Sequence, residues 1–147
     1  MFKIFLALHL IFAVGAIGPL LHAATTAVRG VRTADAVATA AGSRMIKIYA
    51  IGSVLVVIFG FGLLSMDSPY DGKPVGSFTD TWVWLSLLLW LIGVGLAWGV
   101  VSTGLDKATS LIKNGESPNS VRGRVAAAGG VVGLIFVVII VLMVFRP

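Results

Sequence analysis

The stretch VAAAGGVVGLIFVVIIVLMVF, residues 125–145, decides how this chain is read. It contains no charged residue and no proline. As a helix rising ~1.5 Å per residue it spans the ~30 Å hydrocarbon layer of a bilayer. A helix on the surface of a soluble domain keeps a polar face, and this stretch has none. Three further runs share its character: Ile4–Val28, Ile46–Met66 and Trp82–Gly104. Lys47, at the entrance of the second run, is the single charged residue in any of the four. The expected fold is therefore an all-α, integral membrane four-helix bundle. It forms one transmembrane domain over residues 1–147, with spans near 4–28, 46–66, 82–104 and 125–145.

Composition agrees with this reading. Of 147 residues, 58% are hydrophobic and 12% charged, whereas soluble domains carry about 25% charged residues. Mean hydropathy is +1.03. The net charge of +5 would suggest nucleic acid in a soluble protein. Here the basic residues flank apolar runs and face headgroups instead, so membrane lipids and not nucleic acid are the expected partners. With no cysteine, the chain has no disulfide, thiolate metal site or cysteine nucleophile. Met1-Phe2-Lys3, the apolar run and His22-Ala23-Ala24-Thr25 partly resemble a secretory leader. The run exceeds the usual 7–15 residue apolar core, so it is expected to be retained as the first span.

The loops orient the spans. Arg29, Arg32, Arg44 and Lys47 surround the first connection, and Lys107, Lys113, Arg122 and Arg124 the third. The second connection, Asp67–Thr81, carries three Asp and only Lys73. Basic loops stay cytoplasmic, so loops one and three should lie inside and both termini outside, in a bacterial inner membrane. Arg29, Arg32, Arg44, Lys47, Arg122 and Arg124 are the candidate headgroup contacts. The first loop, without a capping box at Asp35–Thr39, continues the first helix or forms a short surface helix. The third helix should run past the bilayer to about Lys113, with Gly115 at its stop.

Gly95/Gly99 and Gly129/Gly133 have the small-xxx-small spacing by which membrane helices approach closely. These four are the candidate packing glycines, expected to face inward, with further notches at Gly60, Gly62 and Gly93 and at Gly15 with Gly18. Pro19 should bend the first span around Gly15–Pro19, because it removes an N–H and its ring clashes with the preceding turn. Trp82 and Trp84 fit an interfacial aromatic belt. Gly15/Gly95 and Arg44/Arg124 each lie 80 positions apart, which makes a parallel two-plus-two helix repeat part of the expectation.

Chemistry-bearing residues are few. His9 and His22 share the first span but are 13 residues apart and point to different sides, so they cannot share one metal. No span contains Asp or Glu. Ser53, Ser65, Ser86, Ser102 and Thr103 look scattered, each able to bond back to its own helix. No nucleophile–base pair, phosphate loop or metal-ligand spacing is present, so no catalytic residue, cofactor or metal is assigned. The reading is a non-enzymatic accessory or scaffold subunit of a larger membrane complex, or a homo-oligomer. The alternative is a binder or transporter of a lipid, quinone, haem or metal around His9, Pro19 and His22.

The opening Leu8-His9-Leu10-Ile11-Phe12-Ala13-Val14-Gly15-Ala16-Ile17-Gly18-Pro19 resembles a family of small predicted bacterial integral membrane proteins of unknown function. That family is itself distantly similar to the copper-resistance D-type membrane domain. Arg29, Arg32, Arg44 and Gly60 or Gly62 follow in the family's order, so the resemblance covers roughly residues 5–65. It implies a four-helix membrane fold and leaves the activity open. Copper handling fits this chain poorly, since it has no Cys and no Met-rich or His-rich cluster.

Overall fold

The computed structural model describes all residues, 1–147. Four helical segments make up nearly all of it: α1 (Phe2–Arg32), α2 (Ala36–Leu64), α3 (Thr81–Lys113) and α4 (Asn119–Phe145). All four are long and apolar enough to cross a bilayer, so the chain is a multi-pass membrane protein with an all-α four-helix fold. Each helix packs against the two next to it in a ring, α1–α2–α3–α4–α1, with little contact across the diagonals.

The helices outrun the apolar segments at one end. The first loop contracts to Thr33-Ala34-Asp35, and α2 starts ten residues before its apolar run. Asp35 caps α2, its Oδ1 accepting the N–H groups of Val37 at 2.9 Å and Ala38 at 3.0 Å. A lone Asp caps a helix without the reciprocal Glu of a capping box. α1 ends in a Schellman motif: the Ala34 N–H donates to Val31 O and the Asp35 N–H to Gly30 O. α3 ends identically at the expected place, with Gly115 N–H to Ile112 O and Glu116 N–H to Leu111 O. Gly115 takes φ +75, the left-handed geometry glycine suits, while Ala34 must take φ +50 with a Cβ.

The four helices are two hairpins with matching buried faces. Ala16, Leu20, Ala23, Ala24 and Ala27 of α1 are buried. So are Ala97, Val101, Gly104, Leu105 and Ala108 of α3, each 81 positions later. Thr39, Ser43, Ile46 and Ala50 of α2 correspond to Val121, Val125, Ala128 and Val132 of α4, each 82 later. This is the parallel two-plus-two arrangement, with its register corrected. Gly15/Gly95 and Arg44/Arg124, spaced 80 apart, are not equivalent, because burial and the two helix stops align at 81 and 82.

Pro19 is accommodated without ending α1. The turn before it, Ala13–Ile17, is π-helical, which takes up the clash and the missing N–H where a bend was expected. α3 contains a second π-helical segment at Ala97–Ser102. No proline accompanies it. The α1 residues before the first π turn pack on α2, and the α3 residues before the second pack on α4. The two hairpins therefore meet mainly over their shared basic end.

The acidic loop between α2 and α3 closes the other end. Its backbone folds back in a bridge between Asp67 and Pro74. The Lys73 N–H approaches Asp71 Oδ1 at 3.3 Å and, with the Ser68 hydroxyl, holds that exposed carboxyl below its usual range. Arg146 Nη1 donates to Val75 O at 3.4 Å, and its guanidinium carbon lies 5.5 Å from the Trp82 ring centre. Trp82 is consequently buried against Leu64 and does not serve as a belt anchor, whereas Trp84 faces outward as expected. The difference is one of helical phase, since two positions turn a helix by about 200°.

Candidate functional site

Unlike groups hold the two contacts between hairpins. The α1–α4 contact is made of small residues. A Cβ on Gly129 would run into the Ala24 carbonyl oxygen of α1, and one on Gly133 would lie 3.1 Å from Thr25 Cγ2. Gly129 and Gly133 thus do the packing expected of them. Gly95 and Gly99 do not: a Cβ on either would meet nothing within 4 Å. Gly93, Ala97 and Val101 occupy the buried arc of α3, which turns Gly95 and Gly99 to the outside. Gly15 and Gly18 of α1, expected as notches, are open in the same way, since Ala16 and Leu20 take the buried face there, whereas Gly93 does pack, against Ile135 and Phe136.

The α2–α3 contact is a hydroxyl seam. Thr39 Oγ1 lies 2.7 Å from Thr109 Oγ1, and Ser43 Oγ lies 2.8 Å from Ser102 Oγ. Trp90 Nε1–H donates to Ser53 Oγ at 3.1 Å, while the Ser53 hydroxyl donates to Ala50 O at 2.7 Å. Thr39, Ser43, Ser53 and Ser102 are all at most 2% exposed. At the seam's edge Lys47 Nζ contacts Asp106 Oδ2 at 2.7 Å, the only ion pair in the chain. Ser53 and Ser102 therefore belong to one interhelical array instead of being scattered. Ser65 and Thr103 do bond back to their own helices, to Phe61 O and Gly99 O. The sequence carried a sign of the seam: Thr39, Ser43, Ala50 and Ser53 recur at helical spacing, so small and hydroxyl side chains share one face of α2. Ser86 is buried too, and its hydroxyl has no protein partner.

His9 is a packing group in this arrangement. Its Nδ1 lies 2.8 Å from Val56 O of α2. A carbonyl only accepts, so Nδ1 carries the proton in this bond. Gly60 makes room for the ring, since a Cβ there would come within 3.2 Å of His9 Cε1. Gly62 does the same under Phe5. Pro19 is half-buried at the π turn, and His22 is exposed. His9, Pro19 and His22 follow one another along α1 and do not converge, and no three His, Asp or Glu side chains cluster anywhere in the chain.

The basic residues gather at one end as expected. Arg29, Arg32, Arg44, Arg122 and Arg124 are exposed and make no ion pair. A shallow concavity at the end of α1 is lined by Val28, Arg29, Arg32 and Thr33. A second lies along the seam, where Arg44 and Lys47 face Asp106. Comparison with family models, with curated proteins and with solved structures finds no match to this chain.

Proposed function

We propose that this protein is a non-enzymatic subunit of a membrane assembly, as an accessory or scaffold component or as a homo-oligomer, in the bacterial inner membrane. The observation that carries the reading is the outward placement of Gly95 and Gly99. A helix-interior glycine costs about 1 kcal/mol relative to alanine. Gly129 recovers that cost by close contact with α1, but Gly95 and Gly99 recover nothing inside the chain. A neighbouring helix seated on this face would recover it. The positive-inside pattern supports a cytoplasmic basic end with both termini outside. The Leu8–Pro19 resemblance is compatible with this reading, as it implies a membrane fold without a defined chemistry.

The test is the native mass and composition of the particle extracted in a mild detergent. The expected result is a particle larger than the 15.4 kDa chain with its detergent, reduced in size by Gly95→Ile with Gly99→Ile. A monomer under all mild conditions would overturn the proposal. Weight would then move to ligand binding, with His9 and Pro19 the first residues to test.

A further inference from the structure

We propose that Arg29 and Arg32 bind the phosphate of one anionic phospholipid at the basic end of α1. The two residues are three positions apart, so their side chains lie over neighbouring parts of one helix face. Both are exposed and neither guanidinium is engaged: no protein acceptor takes their N–H groups, and the chain's one ion pair is elsewhere. The helix end does not need them as caps. The Arg29 carbonyl already accepts from the Thr33 N–H and hydroxyl, both at 3.1 Å, and the Schellman bonds satisfy Gly30 and Val31. Two planar five-donor forks therefore sit three positions apart on one helix with nothing to bind in the protein, a donor set that matches phosphate oxygens.

Position selects a lipid as the source of that phosphate. Val28 is the last residue of the first apolar run, and it lines the same concavity as Arg29, Arg32 and Thr33. An apolar run that ends at Val28, one residue before Arg29, puts the two arginines at the boundary where a phospholipid carries its phosphate. Arg122 and Arg124, two positions apart, lie on different sides of α4. Arg44 shares its groove with the Asp106 carboxylate, which repels phosphate. At the repeat's 81-residue register, Arg29 and Arg32 correspond to Ser110 and Lys113, so the other hairpin has no paired forks. One site per chain follows, and it exists in a monomer as in an assembly.

The whole protein, purified in mild detergent, would be titrated with phosphatidylglycerol or phosphatidylcholine and read by native mass spectrometry. One phosphatidylglycerol should bind in preference to phosphatidylcholine. Arg29→Gln with Arg32→Gln should weaken its binding by about 30-fold, from the usual contribution of two basic residues near a membrane surface. Lys113→Gln should leave it within about twofold, as expected outside the paired site. An unchanged melting profile would establish that the double variant folds; if it does not fold, each single variant should lose about fivefold. Equal binding of the two lipids would overturn the proposal, as would full phosphatidylglycerol binding by the glutamine variants. Displacement of the lipid by millimolar inorganic phosphate would also overturn it, identifying a soluble phosphate as the ligand.

Discussion

The hydroxyls of Ser43 and Ser102 meet at 2.8 Å in the buried contact between α2 and α3, 59 residues apart in the chain. Neither side chain reaches solvent. Their contact lies between the Thr39–Thr109 pair and the Trp90–Ser53 bond in the α2 register, so the hairpins are joined there by polar groups whose positions must match. On the opposite side the same hairpins are joined by Gly129 lying against Ala24. Hydrogen bonds define the register of one contact, and backbone proximity defines the other.

Replacing Ser43 or Ser102 by Ala should each destabilise the fold modestly, because the remaining hydroxyl can bond back to its own helix. The coupling between them should be about 0.6 kcal/mol, the usual size for such bonds in membrane bundles. A double-mutant cycle on reversible unfolding in mixed micelles measures it. Strictly additive single effects would show that the two hydroxyls do not cooperate.

The two glycine pairs should respond oppositely. Gly129→Ala forces α4 away from the Ala24 carbonyl and should cost about 1–3 kcal/mol, the range for overpacking. Gly95→Ala adds a methyl group in open space, so the isolated chain should be neutral or up to about 1 kcal/mol more stable. The same unfolding assay compares them, and a large loss from Gly95→Ala in the monomer would contradict its outward placement.

Ala34 and Gly115 occupy the same position in two equivalent helix stops, yet only one is glycine. Ala34→Gly should raise stability by about 1 kcal/mol by relieving the left-handed strain, and Gly115→Ala should lower it by a similar amount. Shifts of the same sign in the two variants would rule out this account.

His9→Leu removes the bond to Val56 O and leaves a close-packed apolar side chain beside Gly60. The expected loss is about 1 kcal/mol, with no change in any co-purifying small molecule. Loss of a bound chromophore or metal from the variant, detected by absorbance or elemental analysis, would instead favour the ligand-binding alternative.

The absence of cysteine makes topology directly measurable. In intact cells, Asp71→Cys should react with a membrane-impermeant maleimide, and Asn114→Cys should react only after permeabilisation. The reverse pattern would invert the orientation inferred from the loop charges.

Residues 125–145 and the three runs like them settled the fold class before any contact was known. A segment that offers lipid no polar side chain must satisfy its backbone internally, and a helix does so within the segment itself. Local chemistry also foretold the stop at Lys113-Asn114-Gly115 and the disturbance before Pro19. What only the tertiary structure decided is which side of each helix is covered. Gly95-x-x-x-Gly99 and Gly129-x-x-x-Gly133 have the same spacing, yet α3 turns its pair outward and α4 turns its pair onto α1. Lipid is as apolar as Leu or Val, so hydrophobicity does not mark the buried face of a membrane helix as it does in water. The choice rests on long-range fits: Gly60 under His9, Ser43 against Ser102, and Gly129 beneath Ala24. None of these partners is near the other in sequence.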